Sequence, residues 1–296
     1  MPPLLERARA WALLEAILVM LTWASSFVLV KLGLNFMGPL TIAALRYFCG
    51  FALLLPLVLR RGGPLRAIPG SLWLRFLLLG LSAYTIANGA YFWSLKYIPA
   101  ITGSLVLSFI PLFALLGSIL WLKEFPTRRQ WWGMLVVLAG MAFFFSWGWQ
   151  GAHPLGIALA LLGTVSFALF TLLGRDLARA RQVDVWTLTA LPLGLGGGVL
   201  LPIALAVEGV PSGAWEGWLV VLALAVFNTA GAYVAYNHAL QVLTALEMNV
   251  ILNLSPLVTA ILAGVFLAER LTILQGVGIV ITVAGVFLVQ WRPRSG

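Results

Sequence analysis

Residues 111–140 read PLFALLGSILWLKEFPTRRQWWGMLVVLAG, and residues 256–285 read PLVTAILAGVFLAERLTILQGVGIVITVAG. A shift of 145 positions aligns them without a gap, matching Pro111-Leu112 with Pro256-Leu257, Leu122 with Leu267 and Glu124 with Glu269. Thr127 then meets Thr272, Gln130 meets Gln275, Gly133 meets Gly278, and Ala139-Gly140 meets Ala284-Gly285. Carried toward the N-terminus, the same shift pairs Tyr91 with Tyr236 and Leu95 with Leu240. Leucine matches alone would follow from an apolar composition. Pro, Glu, Thr, Gln and Gly in one register do not. The chain therefore reads as two copies of one unit, residues 1–150 and residues 151–296.

The 296 residues are 62% hydrophobic and 9% charged, against roughly 45–50% and about 25% for a soluble domain. Such a surface cannot be covered with polar side chains, so lipid is its solvent and the bilayer its partner. A spanning helix needs about 20 apolar residues. Apolar runs broken by charge and turn residues predict helices over 11–31, 38–59, 72–95, 100–122, 131–149, 154–174, 185–207, 215–240, 245–267 and 273–291. Pro192, Pro202 and the Gly194-Leu195-Gly196-Gly197-Gly198 stretch fall inside the seventh; buried membrane helices tolerate both residue types because neighbours re-satisfy the backbone. The fold class expected is an all-α membrane protein of ten transmembrane helices. The first run, from Trp11 to Val30, is longer than the apolar region of a signal peptide and opens a polytopic chain, so it reads as a retained helix.

Fourteen of the eighteen Lys and Arg residues fall in one set of alternating loops. The other set holds Lys31, Lys96 and Arg270, and Arg46 lies inside a helix. Positive loops stay inside, which puts both termini in the cytoplasm and requires an even number of crossings. Each five-helix unit crosses an odd number of times, so the second copy is inverted relative to the first. The net charge of +9 is thus topology rather than a nucleic-acid patch. Cys49 is the sole cysteine and there are two histidines. No disulfide within the chain, metal site or cofactor is expected, and no clustered nucleophile and base point to an enzyme. No Walker-type phosphate loop is present, so ATP does not drive this chain.

Inverted repeats are characteristic of secondary transporters with a site at the midplane between the halves. Polar residues inside spans face the bundle interior. Tyr84, Asn88 and Tyr91 fall on one helical stripe at i, i+4 and i+7, and their partners at the 145 shift are Thr229, Tyr233 and Tyr236. Ser104 and Ser108 are one turn apart, with partners Asn249 and Asn253, each pair just before the matched Pro111 or Pro256. These residues line a substrate path, or they serve as hydrogen-bonding glue between helices; Trp23, Ser25 and Ser26 add a polar, aromatic patch midway along helix one. The two prolines are matched hinges for alternating access, or static kinks. Glu15, His238 and Glu247 are candidates for proton coupling. Arg46 needs a partner, water or a substrate carboxylate. Glu124 and Glu269 read as helix-end anchors or gate elements. Gly133 and Gly140, with Gly278 and Gly285, mark close helix contact or a dimer surface, so the chain is expected to be a monomer or homodimer.

Trp23-Ala24-Ser25-Ser26-Phe27, Leu45-Arg46-Tyr47 and the paired Pro111…Glu124 and Pro256…Glu269 segments resemble EamA-type members of the drug/metabolite transporter superfamily, over nearly the whole chain. The resemblance implies a pseudo-symmetric fold with helices one to four and six to nine around a central cavity, and five and ten peripheral; it would place the Trp23, Ser25 and Ser26 patch beside that cavity. It also implies a bacterial inner membrane. Within that superfamily the chain is most similar to amino-acid exporters of the YddG kind. The deep polar inventory is mostly neutral, which suits a small zwitterion or uncharged metabolite. The function expected is secondary export of small neutral metabolites, amino acids among them, by alternating access. A multidrug or other metabolite efflux carrier, or a channel, is the alternative.

Overall fold

The fold was taken from a computed structural model, which describes residues 3–61, 68–122, 127–146, 153–180, 185–211, 214–239, 242, 243, 248 and 251–290. Regular structure among them is entirely helical. We label α1 (Pro3–Gly33), α2 (Pro39–Arg61), α3 (Gly70–Gly80, continuing through Leu81–Ala87 and Asn88–Ser94) and α4 (Ala100–Leu107, resuming as Ile110–Leu122). There follow α5 (Arg128–Phe145), α6 (Pro154–Ala180) and α7 (Val185–Glu208). Last come α8 (Trp215–Ala225, continuing through Val226–Gly231 and Ala232–Ala239), α9 (Ser255–Leu267) and α10 (Ile273–Gln290). Six are long and apolar enough to cross a membrane: those over Arg7–Gly33, Pro39–Arg60, Gly70–Ser94, Ala100–Gly117, Trp186–Glu208 and Trp215–Tyr236. Pro154–Phe170, Ser255–Leu267 and Ile273–Val289 are shorter apolar helices.

Several ends differ from the sequence reading. α1 starts at Pro3 rather than 11 and α6 runs on to Ala180, because polar helix ends continue past the apolar run that marks the span. Proline opens α1, α2 and α6, a position where its missing N–H removes no helical bond. α7 is continuous through Pro192 and Pro202. Its glycines have a packing role: a Cβ on Gly196 would lie 2.3 Å from the Gly80 carbonyl, so α7 and α3 meet backbone to backbone.

Packing repeats at the same interval as the sequence. α1 packs on α8 and α9 as α6 packs on α3 and α4, and α2 meets α8 as α7 meets α3. Three pairs, α2–α7, α4–α9 and α5–α10, map onto themselves when each helix is exchanged for the one five places along. The backbone irregularities match too. Two wide, π-helical stretches begin at Leu81 and at Val226, 145 residues apart. Tight turns interrupt both proline-bearing helices, with Leu112 N–H on Phe109 O (2.9 Å) mirrored by Leu257 N–H on Leu254 O (3.1 Å). Pro111 and Pro256 therefore each stand in the first turn of a restarted helix rather than kinking a continuous one.

The matched Thr and Gln residues are helix starts. Thr127 N–H donates to Gln130 Oε1 (2.8 Å) and Gln130 N–H to Thr127 Oγ1 (3.4 Å). Thr272 and Gln275 form the same reciprocal pair at 3.0 and 3.2 Å. Glu269, expected as an anchor, accepts from the N–H groups of Ala100 (2.8 Å) and Ile101 (3.1 Å) at the start of α4. Ala268, at φ 54°, ends α9 in a left-handed turn that presents this carboxylate. Glu208 at the end of α7 likewise accepts from Leu40 N–H (2.9 Å), Thr41 N–H (2.8 Å) and Thr41 Oγ1 (2.7 Å) at the start of α2. A carboxylate there satisfies free N–H groups and the positive end of the helix dipole. Lys31 Nζ donates to the Ile98 carbonyl at the same end. Glu124 lies outside the described residues.

The four matched glycines make a close helix contact within the chain, the first of the two roles expected of them. A Cβ on Gly140 would lie 2.6 Å from Thr282 N and 2.8 Å from Gly278 O. One on Gly278 would lie 2.6 Å from Phe144 N, and one on Gly285 2.6 Å from Val137 N. α5 and α10 thus approach through backbone, as small residues allow between membrane helices. Gly276, two residues before Gly278 and so on the other side of α10, meets nothing within 4 Å. Gly278→Ala is expected to destabilise the chain by about 1–3 kcal/mol through overpacking. Gly276→Ala should be neutral within about 0.5 kcal/mol. Thermal unfolding of both variants in detergent reads the difference, and equal melting would remove the close-contact role.

Candidate functional site

α2 carries Arg46 into the bundle about two turns from its N-terminal end, with only 5% of its surface exposed. Three neutral oxygens receive its N–H groups. Nη1 donates to Ser26 Oγ on α1 (2.7 Å), Nε to Thr229 Oγ1 on α8 (2.9 Å), and Nη2 to the Asn228 carbonyl (3.1 Å). The guanidinium also lies over the rings of Tyr47, 5.1 Å from the centroid, and Phe92, 5.6 Å away. Insertion scales place an arginine at a helix centre at about 2.5–3.5 kcal/mol of cost, and this shell of acceptors and ring faces offsets it.

The wide turn of α8 provides two of these acceptors. π-helical turns displace carbonyls from the regular ladder, and such bulges are frequent at functional sites. The Asn228 carbonyl takes a second donor, Trp23 Nε1, at 3.2 Å. The Asn228 amide donates to the Thr22 carbonyl and to Ser25 Oγ (3.2 Å), bracing α8 on α1. Thr229 Oγ1 in turn donates to Leu224 O at 3.0 Å. α3 uses the equivalent carbonyls: Ser82 Oγ donates to Leu79 O (3.0 Å) and Asn88 Nδ2 to Ala83 O (2.7 Å). Positions 79 and 83 correspond to 224 and 228.

Aromatic rings fill the space beside the guanidinium. Trp23 packs edge-on against Tyr233, centroids 5.7 Å apart, and at a tilt against Tyr236 at 5.5 Å. Tyr84 lies 5.0 Å from Tyr47, and its hydroxyl donates to Tyr233 Oη at 3.2 Å. Tyr91 packs against Phe27 (5.7 Å). The Tyr91 hydroxyl is buried without a partner among the described residues, where a Cβ on Gly103 would approach it to 2.8 Å.

Tertiary structure thus gathers Trp23, Ser26, Tyr84, Thr229, Tyr233 and Tyr236, with Asn88 and Tyr91 adjoining on α3. Ser104 and Ser108 are buried differently. Each donates back to its own helix, Ser104 Oγ to Ile101 O (2.9 Å) and Ser108 Oγ to Leu105 O (2.6 Å). A hydroxyl with no polar group opposite takes the nearest backbone carbonyl. Asn253 is half-buried in the interruption before α9, while Asn249 and Glu247 lie outside the described residues. Glu15 and His238 meet at 2.8 Å, joining α1 to α8, with the histidine side chain 62% exposed. That pair lies roughly 16 Å along α1 from Ser26 at 1.5 Å per residue. Asn228 was missed by the sequence reading. Its signal was its place beside Thr229, since residue 228 has Ala83 as its counterpart and breaks the polar match.

A cavity of about 170 Å³ opens elsewhere, at the α4 start, lined by Pro99, Thr102, Phe144, Glu269 and Arg270 among others. Among the described residues no three His, Cys, Asp or Glu side chains gather as metal ligands.

Comparison with known proteins gives the chain its relatives. An uncharacterized transporter of Archaeoglobus fulgidus is 30% identical over 285 residues, covering 94% of this chain and 96% of that one. The uncharacterized transporter YvbV of Bacillus subtilis is 28% identical, covering 96% of this chain and 92% of the relative. The uncharacterized inner membrane transporter YedA of Escherichia coli is 27% identical, at 90% and 86% coverage. One crystal structure shares the fold with a TM-score of 0.69 at 20% identity, covering 95% of this chain and 97% of that one. The EamA-like transporter family matches twice, over residues 10–146 and 154–291. The chain belongs to the EamA-like transporter family.

Proposed function

We propose that this membrane transporter is a secondary carrier that exports small neutral metabolites, amino acids above all, across the inner membrane by alternating access. In this reading all ten helices span, residues 1–150 and 151–296 form two inverted halves, and both termini face the cytoplasm. The observation that carries it is the Arg46 cluster, in which α1 and α2 of the first half meet α8 of the second around neutral polar groups and rings. Trp23, Ser26, Tyr84, Asn88, Tyr91, Thr229, Tyr233 and Tyr236 hold the cargo. Ser104, Ser108, Asn249 and Asn253 line its path, and the interruptions before Pro111 and Pro256 bend. Aromatic faces and hydroxyls suit a small cargo with an apolar side chain. The cluster contains no acidic side chain among the described residues, which disfavours a carrier for organic cations.

Alternating access also needs contacts that close one end and can be released. Glu208 and Glu269 both run from the second half to helix starts of the first, at the end that faces outward in this topology. The bonds are local and polar, so relative motion of the halves trades them for water at small cost.

Two measurements test this reading. In proteoliposomes, saturable uptake of neutral amino acids that is accelerated by preloaded substrate is expected. Unsaturable conductance would identify a channel instead, and uptake of cationic dyes alone a multidrug carrier. Removing both carboxylates (Glu208→Ala with Glu269→Ala) should weaken the closed outer end by about 1 kcal/mol per cap. The readout is labelling of a buried cysteine placed by Leu105→Cys in a Cys49→Ser background, using an impermeant thiol reagent. An unchanged labelling rate would remove the latch.

A further inference from the structure

We infer that Arg46 is the residue that binds the cargo's carboxylate, so that the substrate class is a small acid or zwitterion with an apolar side chain. The inference rests on the carrier reading above and names the chemistry of that site.

Arg46 is buried, with 5% of its surface exposed, and has no anionic partner among the described residues. The described carboxylates lie elsewhere. Glu15 is on His238, Glu208 on the start of α2, and Glu269 on the start of α4. Glu216 stands in the first turn of α8, roughly 20 Å along the helix from Thr229 at 1.5 Å per residue. A buried arginine with a purely structural task is normally paired, because an uncompensated charge in a low-dielectric interior is costly. Here Ser26, Thr229 and the Asn228 carbonyl orient the charge without neutralising it. They take three of the five N–H donors of the side chain, which leaves donor capacity. A carboxylate meeting this group replaces neutral acceptors with an anionic one, which can take two parallel N–H groups of the fork at once.

The surroundings fit the rest of such a molecule. Trp23 shares the Asn228 carbonyl with Arg46 and stands against Tyr233 and Tyr236. An apolar or aromatic side chain lies naturally on those rings, and an ammonium group is favoured by their faces. The acceptors that now hold Arg46 come from both halves, Ser26 from α1 and Thr229 and Asn228 from α8. A carboxylate that displaces Thr229 or the Asn228 carbonyl therefore loosens a contact between the halves. Occupancy is in this way tied to their relative motion.

Counterflow in proteoliposomes with matched probes tests this. The probes are L-phenylalanine, phenylpropionate, L-phenylalaninamide and phenethylamine, which share one ring and differ in carboxylate and amine. The wild-type chain is expected to carry the acids roughly tenfold to a hundredfold faster than the amide or the amine, the range of a hydrogen bond to a charged group. A higher rate for phenylalanine identifies amino acids as the source of the carboxylate, and a higher rate for phenylpropionate identifies deaminated acids. Arg46→Gln should collapse the acid preference toward unity, and Arg46→Lys should retain most of it. Equal uptake of acid and amide by the wild-type chain overturns the inference and leaves the carrier reading standing, whether or not the Gln variant folds. An undiminished acid preference in Arg46→Gln also overturns it. Uptake of none of the four overturns both.

Discussion

Hydrocarbon supplies no hydrogen-bond partners, so a polar group carried into the bundle depends on the chain itself for them. Arg46 is the most demanding case, because it brings a full charge. Its three acceptors come from α1 and α8, and one of them is a backbone carbonyl that a wide turn of α8 presents sideways. Asn228 then ties that turn to Thr22 and Ser25, and Trp23 closes on the same carbonyl. Three helices are joined at one point by satisfying one cation. The rings of Tyr47, Phe92, Tyr84 and Tyr233 pack outward from it.

The two halves share backbone devices and differ in the side chains that exploit them. Wide turns begin at equivalent residues, helix interruptions precede equivalent prolines, and capping boxes start equivalent helices. The carbonyls at 83 and 228 are both turned toward side-chain donors. In the first half the donor is a local amide, Asn88; in the second it is a distant guanidinium and an indole. Long-range polar contacts are thus concentrated on the second half's wide turn, while the backbone geometry that permits them is common to both.

The periphery follows a different logic. α5 and α10 hold together without polar contacts of this kind, through glycines that admit backbone against backbone. That contact is rigid, since a single methyl group has no room. The ends are the opposite: Glu208 and Glu269 are held by two or three hydrogen bonds at the aqueous boundary, where water can replace them. Tight packing along the outer pair and exchangeable polar bonds at one end are the mechanical conditions under which a bundle can rock without coming apart.

Local chemistry made much of this legible from the residues alone. Apolar run length announced helices, because a span must bury about 20 residues. Thr127 with Gln130, and Thr272 with Gln275, are legible as matched positions of the repeat, and the structure shows both pairs to be capping boxes at helix starts. The matched glycines announced close contact, though whether within the chain or between chains depended on which helix lay opposite. The register of 145 likewise carried the wide turns and interruptions, since both are properties of a short stretch of backbone. What tertiary structure alone decided was which polar groups meet. Arg46 finds Thr229 and Asn228 more than 180 positions away, and Tyr84 finds Tyr233 at a separation of 149. Ser104 and Ser108, alike in sequence to site residues, turn back to their own carbonyls. Helical periodicity places a hydroxyl on a face, but its choice between its own backbone and a partner depends on what packs opposite that face, and only the assembled bundle determines that.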